Sequence, residues 1–138
     1  MTYNHILLAI DRSEDSGKIL DRGNELSVIN SSKKSLVTVI EALPLEYADL
    51  YIAAERHREK DTKDILIKRG SLVGINPEDC HLLKGHPADE IRHLCDELDI
   101  DLLVMGSHCR RGLKRIALGS TANSVLHGLK NDVHIVKV

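Results

Sequence analysis

Aromatic residues are almost missing from this chain: 138 residues contain no Phe, no Trp and three Tyr. Its core must therefore be aliphatic, and the stacking platforms on which single-stranded nucleic acids are held are nearly absent. Cysteine is scarce and odd in number. Cys80, Cys95 and Cys109 have neither the spacing of a disulfide framework nor that of a zinc site, so free thiols in a reducing cytoplasm are expected. No charge sign dominates, with 19 Lys and Arg against 21 Asp and Glu and a net charge of −2. Bulk electrostatics then favour neither nucleic acid nor an anionic membrane surface. No apolar run approaches the roughly 20 residues of a membrane span, and the first residues do not read as a secretory signal.

What is present is ordinary for a globular protein: 42% apolar and 29% charged residues. The length suits one domain, 1–138, able to bury roughly two-thirds of its unfolded surface. Residues 5–11 (HILLAID) form a continuous apolar run that ends in a carboxylate, the pattern of a strand covered on both faces. Ser13 can cap the helix that follows, in which Ile19, Gly23, Leu26 and Ile29 share a face and residues 30–32 (NSS) make the stop. A second buried strand occupies 36–40. Residues 46–73 are helix-compatible, with a nearly all-polar middle and Gly74 as a C′ stop. A weaker strand over 78–83 is expected near the sheet edge. Pro87 opens a helix with Ile91, Leu94, Cys95 and Leu98 on one stripe. The remaining elements are a strand over 101–106, a helix with Ala122, Val125, Leu126 and Leu129 inward, and a final strand over 133–138. The order βαβαβαβαβ predicts a doubly wound, Rossmann-like α/β fold with a five-stranded parallel sheet and helices on both faces.

In such sheets ligands bind beyond the carboxyl ends of the strands, where the strand order reverses. Asp11, Glu41 and Gly106 all stand at strand carboxyl ends. Residues 105–122 (MGSHCRRGLKRIALGSTA) run from a strand through a glycine-containing loop to a helix that starts on small hydroxyl residues. Free backbone N–H groups and the positive end of the macrodipole make such a helix start attractive to phosphate.

These residues resemble the universal stress protein family across essentially the whole chain. Nucleotide-binding members carry a glycine, two residues, a second glycine, nine residues, then glycine followed by Ser or Thr. Gly106 and Gly119-Ser120 match the ends of this motif at the family's spacing, and residues 5–11, 38–41, 85–91 and 133–138 agree with the family too. Cys109 stands where the motif has its second glycine. If that position needs a positive φ or close approach to phosphate, its Cβ and sulfur cost about 1 kcal/mol or more. AMP asks less of the loop than ATP.

The resemblance implies an adenine nucleotide, AMP or ATP, with Mg²⁺ as a possible companion. Ala9, Ile10 and Asp11 would meet the adenine and ribose, and Val39 would form an apolar wall. Met105 and Gly106 would contribute backbone groups, and Gly119, Ser120 and Thr121 would hold phosphate. Cys109 and Arg110 lie in the same loop, where Arg110 or Arg111 would steer the phosphates. Bland alternatives stand beside these: Asp11 as a helix cap, Val39 as plain core, Ser120 as a simple N-cap, and Arg110, Arg111, Lys114 and Arg115 as a solvated charge run. The family also implies a homodimer paired through strand 133–138, which would cover an exposed sheet edge. Neither a metal-ligand set nor a Ser/His/Asp or paired-carboxylate spacing marks an enzyme. The expectation is a cytoplasmic, nucleotide-binding stress sensor or regulator without a nucleic-acid or membrane partner. Its rivals are a stress protein acting through protein contacts alone and a slow nucleotide hydrolase.

Overall fold

A computed structural model of the chain describes residues 2–11, 16–41, 45–107 and 120–138, with the side chains of 45–51, 120 and 121 outside the description. The elements are β1 (His5–Ala9), α1 (Ser16–Asn30), β2 (Lys33–Ile40), α2 (Leu45–Leu72), a single 3₁₀ turn (Pro77–Asp79), β3 (Cys80–Lys84), α3 (Pro87–Glu97), β4 (Leu102–Gly106), α4 (Ser120–Leu126) and β5 (Asp132–Val136). The strands form one parallel sheet in the order β3-β2-β1-β4-β5. The order reverses at β1, which pairs with β2 on one side and β4 on the other.

Alternation along the strands divides the core into two layers. Ile6, Leu8, Leu36, Leu102 and Val104 face α1 and α2, where they meet Ile19, Leu20 and Leu66. Leu7, Ala9, Val37, Leu103 and Met105 face α3 and α4, where they meet Ile91, Leu94, Ala122 and Val125. Helices therefore cover both faces, which is why Ile6–Ala9 of β1 and Leu102–Met105 of β4 are apolar at every position. The layers are tightly closed. At Gly23 of α1 a Cβ would overlap Leu8 Cδ2 and stand 2.6 Å from its Cγ.

Three helices end in the same way. In α2 the N–H of Ile75 donates to Gly70 O (2.9 Å) and that of Gly74 to Ser71 O (3.3 Å), with Gly74 at φ 74°. This is a Schellman cap on the expected stop residue. The α1 cap runs from Ser32 to Ser27 O with Ser31 at φ 55°, and the α3 cap from Ile100 to Cys95 O with Asp99 at φ 52°. Neither Ser31 nor Asp99 carries the glycine that usually signals such a stop.

Four expectations need correction. Ile29 does not face the core: it is 78% exposed, and Ser27, bonded to Asn24 O, is buried in its place. The strand expected from residue 78 starts at Cys80, because Pro77 first opens a 3₁₀ turn. Asp101 precedes β4 rather than joining it, and its carboxylate accepts the N–H groups of Asn4 (2.7 Å) and His5 (3.0 Å). The last helix stops at Leu126, which is 38% exposed, although Leu129 still packs on the second layer.

Gly23→Ala forces a methyl group into Leu8, a side chain with no exposed surface. We expect a loss of about 1–3 kcal/mol in urea unfolding. An unchanged midpoint would show that α1 can move away from the sheet without cost.

Candidate functional site

The β1–β4 ladder ends at the pair Ala9 and Met105. Beyond it the next main-chain bonds run to the outer neighbours. The Ile10 N–H donates to Val37 O (3.0 Å), which draws β1 toward β2. The Ser107 N–H donates to Val136 O (2.9 Å), which draws β4 toward β5, and the Ser107 hydroxyl accepts from the Val138 N–H (3.2 Å). The switch point of the sheet, beyond which ligands bind in folds of this kind, therefore lies between Ile10–Asp11 and Gly106–Ser107.

Six of the expected site residues come together here. Ala9 and Ile10 are buried with their side chains in opposite core layers, and Met105 is buried in the α3/α4 layer. These three can meet a ligand only through backbone atoms, as the motif reading supposed for Met105. Gly106 is the first residue of β4 beyond the β1 pairing. Asp11 is half-buried, and Val39 is half-buried against the α3/α4 layer, so its roles as core and as wall are compatible. Ser120 and Thr121 form the start of α4, and Ala122 packs with Ala9 and Met105 in one cluster. Cys109, Arg110 and Gly119 lie outside the described residues.

Three side chains that sequence reasoning passed over hold the β1 wall of the crevice. The buried Thr38 hydroxyl donates to Ile10 O at 2.8 Å. The Ser16 hydroxyl donates to Asp11 O at 2.8 Å, and the Arg69 guanidinium donates to the same oxygen at 2.7 Å. Thr38 is detectable as the one hydroxyl in the apolar run 36–40. Arg69 leaves no local signal, because its partner is 58 residues away.

The titrations that burial shifts lie elsewhere, at the amino end of the sheet. His5 Nδ1 is 3.2 Å from Leu98 O, an acceptor only, so this nitrogen carries the proton. Nε2 then accepts from the Ser35 hydroxyl at 2.8 Å. The pair has the form of a Ser–His dyad, but Ser35 is 1% exposed and cannot meet a substrate. Burial lowers the pKa of His5 and of His81, while it pushes the Cys95 thiol up to about 12, leaving it inert. A groove of about 560 Å³ at this end is lined by Tyr3, Asp96, Asp99, Asp101 and Asp132. Two of its acids are engaged in structure: Asp101 holds the Asn4 and His5 amides, and Asp132 accepts from the Tyr3 hydroxyl at 2.8 Å. No cluster among the described residues could hold a metal ion, and none of their helices is long and apolar enough to cross a membrane.

The sequence model of the universal stress protein family matches residues 2–137. The chain belongs to the universal stress protein family. Among its relatives, universal stress protein A homolog 1 of Coxiella burnetii is 34% identical, over 96% of this chain and 95% of that one. Universal stress protein UspA from Lactobacillus plantarum has the same fold, with a TM-score of 0.84 at 20% identity over 99% of both chains. A universal stress protein solved in complex with cAMP is 27% identical, with a TM-score of 0.60 and coverage of 99% of this chain and 98% of that one.

The two lowered histidines give a pH prediction with a definite sign. Their unfolded-state pKa is about 6.5, and folding holds it lower, so below about pH 6.5 the unfolded chain binds protons that the folded chain resists. Unfolding free energy should be flat above this pH and fall as pH drops from there toward the folded-state values. His5→Gln combined with His81→Gln should flatten the fall in chemical unfolding series. An equally steep fall in the double variant would assign it to other groups.

Proposed function

We propose that this universal stress protein binds an adenine nucleotide, AMP or ATP, in the crevice between β1 and β4 and acts as a cytoplasmic, homodimeric sensor or regulator. The observation that carries the reading is the end of the β1–β4 ladder at Ala9 and Met105, where the strand order reverses. It leaves the backbone of Ile10–Asp11 and Gly106 along a gap at the switch point of a parallel sheet. The complex of a 27% identical relative with cAMP supports the choice of an adenine nucleotide.

In this reading Ala9, Ile10 and Asp11 meet the base and ribose, Val39 walls the base, and Met105 and Gly106 contribute main-chain groups. Gly119, Ser120 and Thr121 receive phosphate at the start of α4, with Arg110 steering it. Cys109 sits where binding relatives keep a glycine, so one phosphate is held more readily than three. Mg²⁺ would enter only with the triphosphate, whose charge it would offset. Hydrolysis is at most slow.

The edge strand β5 supports the homodimer. Asp132 N–H and Val136 O bond toward β4, so by alternation Val133 and Ile135 present their N–H and C=O groups outward. A second copy paired along this edge would satisfy them.

A thermal-shift series with AMP, ADP, ATP and cAMP tests nucleotide binding. At a hundredfold excess over Kd, a bound nucleotide should add about 2.7 kcal/mol of stability. Cys109→Gly should improve ATP more than AMP, and Ser120→Asp should abolish the shift by placing a carboxylate at the phosphate position. No shift with any adenine nucleotide at millimolar concentration would refute the reading. For the dimer, Val133→Pro removes an outward N–H without breaking the ladder to β4. The variant should sediment as a folded monomer where the unaltered protein sediments as a dimer. A dimer that survives the substitution would place the interface elsewhere.

A further inference from the structure

We infer that Arg69, in the last turn of α2, is a positioning residue for the nucleotide crevice, fixing the β1 wall from outside it; the inference rests on the nucleotide reading above. Past Ala9, β1 has left its pairing with β4, and the carbonyls of Ile10 and Asp11 are met by side chains. Thr38 of β2 donates to Ile10 O, while Ser16 of α1 and Arg69 of α2 both donate to Asp11 O. The same guanidinium nitrogen also donates to Ser16 Oγ at 3.3 Å. The three groups close a triangle whose directions are consistent: the serine oxygen accepts from Arg69 while its hydroxyl proton goes to the carbonyl. Ser16 is 2% exposed, so the triangle is shielded from competing water on that side.

Arg69 is itself held in place by its neighbours. Gly70 lets α2 close on the sheet, since a Cβ there would stand 2.7 Å from Cys80 Sγ, and its carbonyl anchors the Schellman cap through the Ile75 N–H. One and two turns further back along the helix, α2 packs on the core, with Leu66 buried and Lys63 Nζ donating to Cys80 O at 2.6 Å. The guanidinium thus reaches Asp11 from a rigid base. A charge-assisted donor on a carbonyl is stronger than a neutral one, and here it sets the peptide plane that follows Asp11, at the base and ribose side of the crevice. Tilting that plane would disturb the ligand through its adenosine part and leave the phosphate side untouched.

This gives a readout that a phosphate ligand or a merely structural residue would not share. Calorimetric titration of the full chain with adenosine, AMP and ATP should show Arg69→Gln weakening all three by the same factor, about tenfold, the scale of one lost charge-assisted bond. Arg69→Lys, which keeps a cationic donor, should recover part of the loss. Amide exchange at Ile10 should quicken in Arg69→Gln without ligand. A loss that grows with the number of phosphates would make Arg69 a phosphate ligand and overturn the inference. So would a lowered Tm with unchanged affinities. If the unaltered protein binds no adenine compound, the nucleotide reading fails on its own. The exchange measurement then decides separately: faster exchange at Ile10 in Arg69→Gln upholds the clamp on the β1 wall, and unchanged exchange refutes it.

Discussion

Ile6–Ala9 and Leu102–Met105, strands from opposite halves of the chain, run side by side at the centre of the sheet, and the other elements take their places from that pairing. Because β1 also pairs with β2, the strand order reverses there, and the helices divide between the two faces. Leu8 is packed by α1 on one side, and Leu7 lies in the α3/α4 layer on the other. The pairing is also where the sheet opens. Each central strand has a second neighbour to follow, β2 for β1 and β5 for β4, so the two separate as soon as their own ladder ends. The crevice is a consequence of topology before it is a matter of side-chain chemistry.

The two ends of the sheet are built on different principles. At the amino end, side chains stitch strands to connections: the Asp101 carboxylate takes two amides, His5 bridges Leu98 and Ser35, and Tyr3 bonds to Asp132. These contacts tie down the entry of β1 and β4 and leave polar groups occupied. At the carboxyl end, side chains from β2, α1 and α2 hold the backbone of residues 10 and 11. A rigid wall beside an open gap suits a ligand recognised largely through main-chain groups. In the proposed nucleotide reading, apolar residues such as Ile10 and Met105 would serve a polar ligand through their main chain, since their side chains are in the core.

The fold was legible where burial leaves a local pattern. Continuous apolar runs at 6–9, 36–40 and 102–105 mark strands covered on both faces, and Gly74 and Pro87 mark helix ends by backbone geometry alone. Legibility failed where tertiary context decides. Ile29 fits a helical stripe, yet at the end of α1 it has passed beyond the sheet and is exposed. Ser31 and Asp99 adopt positive φ without glycine; the polar run 30–32 still marked the end of α1, while the α3 cap at Asp99 left no obvious sign. Strand order cannot be read from spacing at all. Within the candidate site, the motif positions 9–11, 105 and 106 converge as expected, but the clamp on Asp11 joins residues 5 and 58 positions away, and only the fold brings Arg69 there.

The central claim is that an adenine nucleotide occupies the gap between the exits of β1 and β4, and amide chemical-shift mapping during an AMP titration tests it most directly. The account predicts shifts concentrated at Ile10, Asp11, Met105–Ser107 and the first turn of α4, with the amides of Asn4, His5 and Asp132 at the amino end unmoved. Saturable shifts centred on the amino end, or none at any residue, would contradict it.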